Sequence, residues 1–324
     1  MSEMNEQPRK RFLVLDTSTA AQVVAVMDEE NVLAAESSNA DRNHSVGLMD
    51  SIARMLDAAS VSRRELDGIA VGVGPGSYTG IRIAVTTAKT LAWTLQLPVA
   101  GFSSLAALAL SGYRQAGSSS ESTTAVKQSS TRMEALDHGS TEDAIHHTGE
   151  QSSTIANAQY DETETQPIET TGHTAHLTTD TQQMPSAVTT SWIVPLMDAR
   201  RGQVYTGLFT TTGTGVLVCV EADRIVLMDD WMDQLIERYD ALSEQERPSS
   251  IYIVGDTALH EQRAAKLAEL AGDRVILFAC SLEAEDAGMV GAAALLSGQS
   301  EPAHTLLPNY TQLSEAEANL LRHS

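Results

Sequence analysis

The sequence predicts an α/β protein made of two like halves, and three observations carry the prediction. Short apolar runs alternate with stretches of helical period. The order βββαβαβα is read twice, in residues 9–116 and again in residues 191–300. A polar tract at 117–190 separates the two readings. Mixed sheets covered by helices follow from that order, and a duplicated fold of this kind places a cleft between its halves.

In the first half, the apolar run Phe12–Asp16 ends in the turn Asp16-Thr17-Ser18-Thr19. Gln22–Asp28 and Asn31–Glu36 follow across the polar link Asp28–Asn31, so three antiparallel strands open the half. Asn43 or Ser45 can cap a helix reaching Ala59. Its apolar residues, Leu48, Met49, Ile52 and Met55 among them, cover an arc of roughly 180°, against about 100° for one core face. The extra width points to a second buried surface. Gly68–Gly74 reads as a buried strand, Thr79–Leu95 as a helix, Pro98–Phe102 as a strand and Ser104–Leu110 as a short helix.

The second half repeats the pattern. Strands are predicted at Trp192–Met197, Gln203–Phe209 and Gly215–Val220, then a helix at Asp230–Tyr239. Strand Ile251–Gly255, helix His260–Leu270, strand Val275–Phe278 and helix Met289–Leu296 complete it, with a tail at 301–324.

The chain has 324 residues and a net charge of −22, with 21 Lys and Arg against 43 Asp and Glu. Nucleic acid is gripped by cations that neutralise phosphates, so a chain this acidic does not hold RNA alone unless a local basic patch survives. An anionic membrane surface fits it equally poorly. The start of the sequence lacks the apolar core of a signal peptide and no run is long enough to span a membrane, so a cytoplasmic protein is expected. Cys219 and Cys280 have neither disulfide-framework nor metal-site spacing. The tract 117–190 holds 26 Ser and Thr, seven Leu, Ile, Val and Phe, and a net charge of −9. It cannot offset its ordering entropy by burial and is expected to be a disordered insertion. Its five histidines read as solvated side chains.

The loop Gly74-Pro75-Gly76-Ser77-Tyr78-Thr79-Gly80 lies between a strand and a helix. Glycines permit close backbone approach, and N–H groups at a helix start favour an anion. The loop is therefore a candidate anion site, with a tight strand-to-helix connection as the other reading; no Lys stands where a phosphate loop would have one. Asp16 and Thr17 at the first-strand turn, and Asp198 at the equivalent turn of the second half, could flank the cleft. His44 reads as a helix-opening residue. No nucleophile elbow, zinc-protease run or cysteine pair points to a hydrolase or zinc enzyme.

Together these residues resemble the TsaB (YeaZ) family of tRNA threonylcarbamoyladenosine biosynthesis. The similar stretches are Leu15–Thr19, Arg42–Ser45, Asp67–Ile83, Ala88–Ala92, Gly101–Leu108 and Asp198–Tyr205, with Pro308-Asn309-Tyr310 and Glu315-Ala316-Glu317 in the tail. The resemblance implies an actin/hsp70/sugar-kinase-like (RNase H-like) fold of two duplicated lobes. It implies a non-catalytic subunit that binds and activates a related TsaD-type transferase, with a TsaE-type ATPase completing the assembly. ATP and metal are then expected on the partner subunits, no cofactor on this chain, and tRNA contact only through the complex.

The catalytic relative carries a His-x-x-x-His metal pair, and the positions matching it here are Ser104 and Leu108. Neither can replace an imidazole ligand. Its Gly-rich adenosine loop is here Ile253-Val254-Gly255-Asp256, with one glycine. Asp198 and Asp286 remain near ligand positions. In the family the first two helices form the surface for homodimers and for pairing with the transferase, which makes Leu48, Met49, Ile52, Met55, Ile83 and Thr87 the interface candidates. The insertion departs from the family pattern, and deleting 118–189 is expected to leave partner binding intact. A kinase or ATPase of the same fold acting alone, and a metallopeptidase, are the competing readings. The missing glycines oppose the first and the missing imidazoles the second.

Overall fold

The computed structural model describes residues 9–39, 44–118, 190–211 and 216–311, with only the backbone at 39 and 44–46. The insertion expected at 117–190 lies outside the described residues except at its ends, and so does the tail beyond Thr311. The first sheet is built from β1 (Arg11–Asp16), β2 (Ala21–Asp28), β3 (Asn31–Asn39), β4 (Gly68–Gly72) and β5 (Val99–Phe102). Between them lie α1 (His44–Ala58) and α2 (Tyr78–Leu95), and α3 (Ser104–Ser118) follows. The second sheet has β6 (Ser191–Asp198), β7 (Gln203–Thr211), β8 (Leu217–Leu227), β9 (Ser250–Gly255) and β10 (Val275–Ala279). Its helices are α4 (Met228–Asp240), α5 (Glu261–Ala271) and α6 (Ala284–Leu296).

The two sheets have one topology. The first is ordered β3-β2-β1-β4-β5 and the second β8-β7-β6-β9-β10. In each, the first three strands pair antiparallel and the fourth and fifth join in parallel. The duplicated α/β fold predicted from the sequence is the fold observed.

Period-two alternation sorts the core into layers. Leu13 and Leu15 face α1 and α2, while Phe12 and Val14 face α6. In the second sheet, Val194 and Leu196 face α4 and α5, and Ile193 faces α3. Chain order and packing order therefore differ at two helices. The helix that ends the first half, α3, rests on the second sheet, and the helix that ends the second half, α6, rests on the first. The two touch each other between the sheets. Hydrogen bonds sew this crossing: Ser37 Oγ donates to Glu283 Oε2 at 2.8 Å, and the Glu283 N–H donates to Ser111 Oγ at 3.1 Å.

Three elements run five or more residues beyond their predicted ends. Helix α3 runs past Leu110 to Ser118, through Gly112, because a Cβ there would lie 2.3 Å from Val254 of β9. Glycine is the contact residue at that point and not a break. Helix α6 begins five residues earlier than Met289, and its Gly288 and Gly291 press against Met27 and Val14. Strand β8 continues to Leu227. Among the described residues, no helix is long and apolar enough to cross a membrane.

Candidate functional site

Strand β1 delivers Asp16 into the interior. Its Oδ1 accepts the Ser18 N–H at 2.6 Å and its Oδ2 accepts the Ser104 hydroxyl at 2.6 Å. Burial pushes its pKa up, against the lowering effect of the bonds from Ser104 and Ser18. A Cβ at Gly72 would lie 1.8 Å from Asp16 Oδ2, so glycine makes room for the carboxylate.

The loop Gly74–Gly80 folds down onto this turn. Ser77 N–H donates to the Ser18 carbonyl at 2.7 Å, and Thr17 Oγ1 donates to the Gly80 carbonyl at 2.6 Å. Cβ atoms on Gly76 and Gly80 would lie 2.3 Å from the Ser18 oxygen and 1.9 Å from the Thr17 oxygen. The close approach that the glycines permit is thus taken by the chain's own carbonyls. The N–H groups of Gly74, Ser77 and Gly80 are donated to Ser104 Oγ, Ser18 O and Ser77 Oγ, and Pro75 has none. These contacts fit the tight strand-to-helix connection. The tail reinforces it: Asn309 N–H donates to Val73 O at 2.8 Å, and Tyr310 stacks on Tyr78.

The equivalent turn of the second half stays at the surface. Asp198 N–H donates to Asp256 Oδ2 at 2.9 Å, Asp198 Oδ1 accepts the Arg200 N–H at 3.2 Å, and the Asp198 side chain remains 33% exposed. Arg200, Arg201 and Gly202 have φ of 65°, 54° and 76°, three left-handed residues in succession. Each arginine there costs roughly 1–2 kcal/mol that glycine would not. Behind the turn, His260 caps α5 with its Nε2 buried, without a hydrogen-bond partner and 3.9 Å from Asp198 Oδ1. Burial, and then Arg263, hold its pKa below the usual imidazole value.

Asp286, the other carboxylate singled out above, is held by Arg114, whose Nη1 donates to Oδ1 at 2.6 Å. Asp286 and Asp198 thus have separate partners, and no group of three or more His, Cys, Asp or Glu among the described residues could hold a metal ion. Ser104 is bound to Asp16, and Leu108 lies in the core between the sheets. The single glycine of the 253–256 segment is also engaged, since a Cβ on Gly255 would lie 2.3 Å from Leu196 O. An open cavity of about 500 Å3 lies at the C-terminal ends of β9 and β10, bordered by Asp256, Thr257, Cys280, Glu283 and Gln115. Burial pushes the Cys280 thiol up to about 11, so it is not a thiolate at neutral pH.

On the outer layer, two interface candidates require correction. Leu48 and Ile52 are buried against β1, β2 and β4 in their own core and present nothing outward. The wide arc of α1 splits instead: Leu48, Ile52 and Leu56 turn inward, while Met49 is 51% exposed. Met55, Ile83 and Thr87 are half-buried around the junction of α1 and α2. Sequence reasoning missed Tyr78 and the 73%-exposed Trp93 on α2. It also missed Asp223 of β8, held by Ser103 at the start of α3, whose carboxyl burial pushes up to about 6. The charged residues Glu221, Asp223 and Arg224 inside a largely apolar strand were the available signal.

The family model TsaD: tRNA N6-adenosine threonylcarbamoyltransferase matches residues 32–283. The tRNA threonylcarbamoyladenosine biosynthesis protein TsaB of Bacillus subtilis is 28% identical over 309 residues, which cover 95% of this chain and 96% of that protein. The protein of that name from Escherichia coli is 33% identical over 107 residues, covering 33% of this chain and 46% of its own. Among solved structures, YeaZ from Pseudomonas aeruginosa superposes with a TM-score of 0.57 at 22% identity, over 93% of this chain and 99% of that one. That likeness concerns the fold, whose two-sheet order is described above.

Proposed function

The chain belongs to the tRNA N6-adenosine threonylcarbamoyltransferase (TsaD) family, in its TsaB (YeaZ) form, and from that premise we propose that it serves threonylcarbamoyladenosine modification of tRNA as a non-catalytic subunit. It binds a TsaD-type transferase and raises its activity, while that transferase and a TsaE-type ATPase carry the ATP and metal chemistry. The observation that carries this reading is the engagement of Asp16 and Asp286 by the chain's own groups. Asp16 is bound by Ser104 and Ser18, and Asp286 is neutralised by Arg114. The imidazole positions are filled by a serine and a leucine. The exposed side of α1 and α2, with Met49, Met55, Ile83 and Thr87, is the surface offered to the transferase or to a second copy.

The test is reconstitution with the TsaD-type and TsaE-type subunits, tRNA and the threonylcarbamoyl donor. Modification that requires this chain is the expected result; equal modification without it overturns the reading. Calorimetry of the isolated chain with ATP and magnesium addresses the competing kinase reading, which micromolar binding with turnover would establish.

A further inference from the structure

Most described arginines are answered by an acceptor. Arg11 lies on Glu65, Arg54 on Glu36, Arg114 on Asp286, Arg247 on Glu244 and Arg263 on Asp229. Arg200 and Arg201 are not. Both are exposed, and among the described residues neither guanidinium has a hydrogen-bond or ion-pair partner. Arg63 and Arg64 are likewise unpaired, but they sit on a three-residue turn outside the left-handed region.

The turn that carries Arg200 and Arg201 is built to hold its shape. Asp256 accepts its first N–H, Asp198 accepts the Arg200 N–H, and Gln203 N–H donates to Arg200 O at 2.9 Å. Met228 N–H donates to Gly202 O at 2.9 Å, and buried His260 backs Asp198. The backbone is kept left-handed at two arginines where Asn or Gly would sit more easily. Strain that persists under such restraint gathers at functional positions. The surface around it carries both signs of charge, so the two guanidiniums stand out by being unpaired. A Cβ on Gly202 would lie 3.9 Å from Arg263 Nη2, so Arg263 adjoins the turn; it shares Asp229 with Lys266, which also lies 4.0 Å from Asp233. Asp256 Oδ2 and Asp198 Oδ1 are turned to backbone N–H groups of the turn and not to its guanidiniums.

We propose that the Arg200–Arg201 turn is a phosphate contact for RNA, its two guanidiniums gripping the tRNA backbone within the assembled complex. This rests on the proposed role in tRNA modification. Guanidinium matches phosphate geometry with paired N–H donors, and such contacts position an RNA without reading its sequence. The −22 charge of the whole chain repels RNA at a distance, so the contact operates only where a partner already holds the tRNA.

The complex of the full chain with a TsaD-type subunit is titrated with labelled tRNA across a salt series, for the natural chain and for Arg200→Asn/Arg201→Asn. Asparagine accepts left-handed backbone, so the turn survives while both charges go. The affinity near 0.1 M salt is expected to fall about tenfold, and the slope of log K against log salt to shrink by about 1.5. Arg200→Lys/Arg201→Lys is expected to keep the slope. Unchanged affinity and slope in the Asn variant overturns the inference. So does a variant that assembles poorly with the transferase when no RNA is present, because the turn would then face an acidic protein surface. A natural chain that forms no complex on size exclusion overturns the proposed function and this inference together; an intact complex with an unaltered slope sinks this inference alone.

Discussion

The turn after β1 and the turn after β6 occupy the same place in two copies of one topology, and they are held by opposite means. In the first sheet the loop after the fourth strand is rich in glycine, so backbone closes on backbone and Asp16 is sealed beneath it. In the second, the corresponding loop offers a side chain: Asp256 reaches across to one N–H, and the turn with Asp198, Arg200 and Arg201 stays at the surface. Topology fixes where the turns lie. The residues of the facing loop decide whether each is shut or open.

The largest expected effect tests the closed side. Gly80→Ala drives a Cβ into the Thr17 carbonyl and should cost at least about 3 kcal/mol in urea unfolding, because backbone meets backbone there. The same change at Gly202 meets only the Arg263 side chain and should cost about 1 kcal/mol, from its positive φ alone. Equal losses would break the distinction between the two turns. Asp16→Ala strands the Ser18 N–H and the Ser104 hydroxyl in the interior and should cost about 2–3 kcal/mol. Asp198→Ala, at the open turn, should cost about 1 kcal/mol or less in the same assay.

A pH series sharpens the comparison where β8 meets the start of α3. The folded chain keeps the Asp223 proton up to about pH 6, while an unfolded carboxyl releases it near 3.8. The folded state therefore binds more protons in that window, and stability falls as pH rises through it. Asp223→Asn should remove that fall, with a gain of about 1–2 kcal/mol at pH 7.5 that shrinks towards pH 4. A gain that is independent of pH would refute the assignment. The smallest effect on stability is expected from Met49→Ala, under about 0.5 kcal/mol because the side chain is half-exposed. It should nonetheless weaken transferase binding about tenfold by surface plasmon resonance, if a buried methionine anchor is worth about 1.4 kcal/mol.

The element order was legible because each strand is a compact apolar run and each helix shows its period. The errors arose where the deciding neighbour is remote. Gly112 looks like a helix end until Val254 is placed beside it. The arc of α1 is too wide for one core face, but only the sheet beneath it assigns Leu48 and Ile52 to the core and leaves Met49 exposed. The glycine loop and both aspartate turns could be picked out by residue type. Their contrast could not, because the carbonyls of Thr17 and Ser18 that fill the loop carry no mark in a sequence. The pairing of Arg114 with Asp286 spans 172 positions, and that of Ser37 with Glu283 spans 246.

The exchange of α3 and α6 between the sheets has a consequence during synthesis. Strand β5 ends at Phe102, but the helix that covers the inner face of its sheet begins only at Ala284. At about 5–20 residues per second, that face waits roughly 10 to 40 s on the ribosome for its cover. Through that interval Phe12, Val14, Met27 and Phe102 form an apolar surface on the nascent chain. The first lobe is complete in strands long before it is complete in packing, and until α6 emerges its inner face has no cover from that helix.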